Sequence, residues 1–127
     1  MRALLDTHTL IWWMEDARRL SRLASEIIEN PDNQILISAA VGWEMAIKVG
    51  LAKLRPRSLV DHLLDIIKKE SFSELPITIE AGVRAGLLSH YHRDPFDRML
   101  AAQALTLNIP ILSADEVFDR YGAKRLW

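Results

Sequence analysis

Four acidic residues, spread along almost the whole 127-residue chain, stand where short apolar runs stop or helices begin. Asp6 directly follows the apolar run Ala3-Leu4-Leu5, and Asp115 comes three residues after the run Ile109 to Leu112. Glu44 lies six residues beyond Ser38, which closes the run Gln34 to Ile37. Asp97 falls in Asp94-Pro95-Phe96-Asp97. In a parallel sheet the carboxyl ends of the strands form the ligand edge, so these four acids are predicted to meet there. A carboxylate cluster without counter-charge raises its members' pKa values and opposes folding, and a divalent cation relieves both. Oxygen-only donors select Mg²⁺ or Mn²⁺ over zinc. Such an ion activates an attacking water and stabilises the leaving oxygen of a phosphodiester. The spacing therefore suggests metal-dependent phosphoryl chemistry.

Each acid also has a plainer role that the sequence leaves open. Asp6, Asp94 and Asp115 suit helix caps, and Asp97 suits the first-turn dipole. Ala101 and Ala104 share Asp97's face and would hold that acid close to the sheet. Glu44 and Lys48 are the only charges on an otherwise apolar helix, spaced i,i+4, and could form its one solvated stripe. The histidines His8, His62, His90 and His92 show no metalloprotease spacing. His90-Tyr91-His92-Arg93 suits a solvated loop or contact with a nucleic-acid backbone. Lys48, Lys53, Arg55 and Arg57 form a basic loop, solvated or facing phosphate. Trp12, Trp13 and Trp43 read as core or interface residues. The chain lacks a P-loop, a dinucleotide-binding glycine pattern and a nucleophile elbow, which disfavours those three chemistries.

The elements that must position these side chains are short. Strands are expected at Ala3–Leu5, Gln34–Ile37, Leu75–Ile77, Ile109–Leu112 and Lys124–Leu126. Helices are expected at Thr7–Glu15 and Ser21–Asn30, and from the Ser38 cap to Val49. Ser58 and Asp61 resemble a capping box opening one helix to Glu70. Thr78 caps a helix to Leu88. Asp94 with Pro95 opens one that Asn108 ends, and Asp115–Tyr121 makes a last one. Alternation of this kind indicates an α/β fold with a parallel sheet and right-handed crossovers.

Composition fits that reading. Half the residues are apolar and 26% are charged, as in an ordinary single globular domain spanning 1–127. There are no cysteines, which excludes a disulfide framework, a thiol nucleophile and thiolate zinc sites. No apolar run reaches the ~18 residues of a membrane span and no signal peptide opens the chain, so a cytoplasmic protein without membrane attachment is expected. A net charge of -1 argues against a strongly basic nucleic-acid clamp.

Leu4-Leu5-Asp6-Thr7-His8, Ile37-Ser38-Ala39-Ala40 with Trp43-Glu44, His92-Arg93-Asp94-Pro95-Phe96-Asp97-Arg98, and Leu112-Ser113-Ala114-Asp115 together resemble the PIN domain. More closely they resemble the VapC-type toxins of bacterial toxin–antitoxin pairs. The order and spacing of the motifs carry the resemblance, which extends to Tyr121-Gly122 and Leu126-Trp127. It implies a three-layer fold with a central parallel sheet flanked by helices, and a Mg²⁺- or Mn²⁺-dependent endoribonuclease. It places catalytic and metal-binding roles on Asp6, Glu44, Asp97 and Asp115, with Asp97 rather than Asp94 as the match. Ser113 stands where the family often has Thr. Thr7 and Ser38 match hydroxyl positions expected to bond the acids. The resemblance also implies a homodimer, an RNA substrate and a VapB-like antitoxin. Two rival readings are a receiver-type phosphoacceptor and an inactive PIN-like binding module. The first wants an adjacent acidic pair after the first strand, where this chain has Asp6-Thr7; the second is disfavoured by the presence of all four acids.

Overall fold

The computed structural model describes residues 1–54, 57–91 and 93–127. Arg55 of the basic loop and His92 of the His-Tyr-His-Arg run lie outside the described residues. The strands are β1 (Arg2–Leu5), β2 (Gln34–Ser38), β3 (Ser73–Leu75), β4 (Ile111–Leu112) and β5 (Arg125–Leu126). The helices are α1 (Thr7–Glu15), α2 (Arg22–Glu29), α3 (Ala39–Gly50), α4 (Ser58–Asp61), α5 (Leu63–Lys69), α6 (Ile79–Leu87), α7 (Pro95–Leu107) and α8 (Val117–Arg120).

All strand pairs are parallel, in the order β3-β2-β1-β4-β5. Within β1 and β2 every residue but the first is buried. This is why their apolar runs do not alternate: helices cover both sheet faces. From β1 the chain builds outward through β2 to β3, then returns to add β4 and β5 on the other side. The order reverses between β1 and β4, where Leu4 is level with Ile111 and Leu5 with Leu112. The backbone parts beyond such a reversal and leaves a crevice.

The sheet and its helices enclose one apolar core around Leu4, Leu5, Leu10, Met45, Leu100, Ile111, Leu112 and Phe118, all completely buried. Leu20, at the end of a short 3₁₀ turn over Ala17–Arg19, and Ile27 close it from the α2 side.

Several boundaries differ from expectation. β3 lies at Ser73–Leu75, not Leu75–Ile77; Pro76 has no N–H to offer and ends the ladder. One helix was expected from Ser58 to Glu70, but the chain turns at His62 (φ -110°, ψ 12°) and forms α4 and α5. The capping box is absent, because Asp61 faces Arg57 Nε at 3.5 Å and Ser58 is the first helical residue. β4, α8 and β5 are each trimmed at their ends.

Candidate active site

Asp6 ends the central strand and begins α1. Its Oδ1 accepts the Thr9 backbone N–H at 2.8 Å, so it is a helix cap. Its Oδ2 accepts the hydroxyl of Ser113, across the β1–β4 reversal. Capping therefore does not compete with a site role; the cap bond fixes the carboxylate's direction. Asp6 is 5% exposed, and burial pushes its pKa up against the lowering effect of the bonds from Ser113 and Thr9. Thr9 adds its own hydroxyl bond to Leu112 O at 2.9 Å, which ties α1 to the end of β4.

Glu44 comes from the second turn of α3. That helix starts at Ser38, whose hydroxyl accepts the Ala40 N–H at 3.0 Å. Ser38 is thus a cap and does not bond the acids, contrary to the expectation from the resemblance. Thr7 does: its hydroxyl donates to Glu44 Oε1 at 2.6 Å. Lys48 donates to the other carboxylate oxygen. Glu44 is 3% exposed, so the solvated-stripe reading of Glu44 and Lys48 is overturned. The pair points inward, and the lysine offsets one of the site's charges.

Asp94 and Asp97 divide the start of α7 between them. Asp94 Oδ1 accepts the N–H groups of Phe96 (2.8 Å) and Asp97 (3.3 Å), which makes it the cap of a helix with Pro95 in its first turn. Asp97 is half-buried three residues further along, on the face it shares with buried Ala101 and Ala104. Its pKa is pushed up to about 7, first by burial and then by the charges of Asp94, Asp115, Glu44 and Asp6. Asp115 is exposed; its Oδ1 accepts the Val117 N–H at 2.9 Å and its own N–H donates to Ser113 Oγ. Ser113 therefore links two of the acids. Asp6, Glu44, Asp97 and Asp115 are brought together electrostatically, although 109 positions separate the first from the last.

The donor set is oxygen-only and carries more negative charge than Lys48 can offset, which fits a hard divalent cation. Among the described residues no three of these side chains close into a ready-made metal cage. Glu44 is turned toward Thr7 and Lys48, and Asp6 toward Thr9 and Ser113, the arrangement expected of carboxylates that satisfy themselves with protein donors.

Aromatic residues frame the acids. Trp43 and Phe96, each one residue before an acid, meet edge to face at 5.0 Å. Trp43 is 60% exposed and is not a core residue. Trp12 packs against Trp127, with centroids 5.8 Å apart, and Trp13 against Phe72. An apolar cavity of about 600 Å³ lies between α3, α4–α5 and the β2–β3 edge, but none of the four acids lines it.

One residue with a clear task escaped the sequence reading. Arg98 is 8% exposed and has no carboxylate partner among the described residues. Its guanidinium donates to the carbonyls of Ala85 (2.8 Å), Gly86 (3.3 Å), Leu88 (2.8 Å) and Ser89 (3.0 Å). It so satisfies the open carbonyls at the end of α6. The available signal was its place at i-3 and i-4 from Ala101 and Ala102: a cation on a small, buried face must find backbone acceptors.

A family model for the PIN domain matches residues 3–124. The chain belongs to the PIN-domain family. It is 33% identical over 106 residues to Ribonuclease VapC22 of Mycobacterium tuberculosis, an alignment spanning 80% of this chain and 78% of that protein. In fold it is similar to the crystal structure of VapBC2 from Rickettsia felis bound to a DNA fragment from their promoter: TM-score 0.74, 17% identity, 99% of this chain and 98% of that one. It is also similar to VapBC-1 from nontypeable Haemophilus influenzae, with TM-score 0.66, 16% identity, and 99% and 97% covered.

Proposed function

We propose that this chain is the toxin of a type II toxin–antitoxin pair, a cytoplasmic endoribonuclease that works with Mg²⁺ or Mn²⁺. The observation that carries this reading is the convergence of Asp6, Glu44 and Asp115 on Asp97, whose pKa is lifted to about 7 first by burial and then by the charges of Asp94, Asp115, Glu44 and Asp6. The resemblance to a VapC ribonuclease adds the reaction class. No described helix is long and apolar enough to cross a membrane.

Asp6 and Asp97 would be the principal ion ligands, and Glu44 and Asp115 would complete the acidic site. When bound, the divalent ion supplies Lewis-acid stabilisation to the phosphate oxygens and to the hydrolytic water. The chain's own groups do the rest. Thr9 N–H and the Ser113 hydroxyl fix the Asp6 carboxylate, and Thr7 holds Glu44. Lys48 reduces repulsion among the acids. Asp97, whose pKa is raised to about 7 in the ion-free chain, would give up its proton to bind the ion. No side-chain nucleophile is required.

The partners in this reading are RNA, a second copy of the chain and a small VapB-like antitoxin. An antitoxin that silences the site would place an arginine among the acids, since its planar fork matches carboxylates and replaces the ion's charge. The deciding experiment is incubation of purified protein with total cellular RNA in Mg²⁺, Mn²⁺ or chelator. Discrete fragments are expected with either ion, none with chelator and none from Asp6→Asn. Cleavage by Asp6→Asn equal to wild type would sink the nuclease reading.

A further inference from the structure

Helices α3 and α7 pack together and bring two neighbouring pairs of residues to the site. Glu44 and Asp97 are the acidic pair. The residue before each acid is aromatic, and Trp43 meets Phe96 edge to face, with ring centroids 5.0 Å apart. The two pairs differ in exposure: Glu44 is buried, whereas Trp43 is 60% exposed. The edge-to-face contact takes up at most one face of the indole. A cavity of about 200 Å³ opens beside it, enclosed by Trp43, Phe96, Ala40, Ile77, Pro95 and Met99. That size suits one planar ring system and not a folded segment of a partner. Arg98 also reaches the cavity, but its guanidinium is bonded to main-chain carbonyls. Among the described residues no carboxylate lines it. The acid cluster thus adjoins a small, uncharged, aromatic-walled pocket.

We propose that Trp43 and this pocket hold one base of the RNA beside the scissile phosphate, with the base stacked on the indole. The proposal rests on the ribonuclease reading above and gives it a substrate contact. The pocket is continuous with the acids, so a nucleotide whose phosphate lies among them has its base at hand for the aromatic wall. The division also follows charge. The phosphate goes where an ion can meet it, and the base, the uncharged part of a nucleotide with apolar faces, goes where there is no charge. Unpaired bases stack on aromatic side chains in this way, so the nucleotide at the pocket must be unpaired. Because the walls are apolar, the pocket reads the face of a base and not its hydrogen-bonding edge. Such stacking tolerates every base, and the larger face of a purine gains most from it. Trp43 is therefore a positioning residue: it fixes the nucleotide next to the bond that is cut.

The test uses the full chain and a short synthetic RNA spanning a cut site mapped in total RNA. Trp43→Ala should melt like wild type, because the side chain is exposed, and should lower kcat/KM by about tenfold, mainly through KM, as loss of one base–aromatic stack does. Trp43→Phe should keep most of the activity. Trp43→Leu, apolar but without a π face, should behave like Trp43→Ala. Abasic nucleotides placed one at a time around the cut locate the base: at one position the missing base should cost wild type about tenfold and Trp43→Ala nothing further. Wild type and Trp43→Ala equally active would overturn the proposal, and so would abasic losses that match in the two proteins at every position. Trp43→Leu as active as wild type would overturn the stack, since plain apolar contact would then suffice. Loss of self-association or of antitoxin capture in Trp43→Ala, with KM unchanged, would give the surface to a protein partner and overturn the proposal. A wild type that cuts no RNA marks failure of the ribonuclease reading, whereas one that cuts and is indifferent to Trp43 marks failure of the stack alone.

Discussion

Asp97 is the carboxylate on which the other acids act, and its titration is the clearest residue-scale consequence of the site. Its folded pKa, about 7, lies above the unfolded value of 3.8. The folded chain therefore binds more protons than the unfolded one between those values. The contribution of this group to stability is fully present below the unfolded pKa and is lost as pH rises through about 7. In chelator, the wild-type melting temperature should include a component that falls between about pH 4 and about pH 7, and Asp97→Asn should lack it. The rest of the chain is common to both proteins, so the difference between the two curves isolates Asp97. Coincident curves would show that its carboxyl is not held up by burial and the neighbouring charges. Asp94→Ala should behave differently. It loses the bonds to Phe96 and Asp97 N–H and should cost about 0.5–2 kcal/mol, while RNA cleavage persists in the folded fraction. The loss is softened because Asp94 is also the strongest of the charges raising Asp97.

At the scale of elements, Arg98 makes the end of α6 depend on the start of α7. Arg98→Met removes donors from four carbonyls at once and should destabilise by about 2–4 kcal/mol in urea unfolding. Amide exchange over residues 86–90 should accelerate more than in β1. A loss under about 0.5 kcal/mol would mean that water serves these carbonyls equally well. Neither this contact nor the break at His62 was legible in the sequence, for a common reason. Leu59, Leu63 and Ile67 keep helical spacing straight through the turn, and all three are buried, so periodicity cannot register a kink that preserves the apolar face. Arg98's acceptors are main-chain carbonyls, which no residue pattern reports. By contrast β1, β2 and the start of α7 were readable because their signals are local: an apolar run closed by a polar residue, and Asp-Pro with an acid in the first turn. Of the site, the four acids were visible by type and position. The orienting bond from Ser113 and the inward turn of Lys48 needed the third dimension.

For the whole molecule, the proposed ion site would link ion binding to folding. An ion that binds only the folded state stabilises it by RT ln(1 + [L]/Kd), about 2.7 kcal/mol at a hundredfold excess over Kd. Millimolar Mn²⁺ or Mg²⁺ should therefore raise the melting temperature of wild type and leave Asp6→Asn nearly unmoved; an unmoved wild type would contradict the ion site. The strand order has a further consequence, one of timing. Asp6 lies at the end of the central strand, yet the hydroxyl that orients it belongs to Ser113, 107 positions later. The β1–β4 pairing that brings them together is among the most distant contacts in the chain, and such contacts form late. A ribosome must therefore release nearly the entire polypeptide before the acids can assemble. On the proposed site, a translation product abandoned before β4 lacks both Ser113 and Asp115 and so carries no complete set of acids.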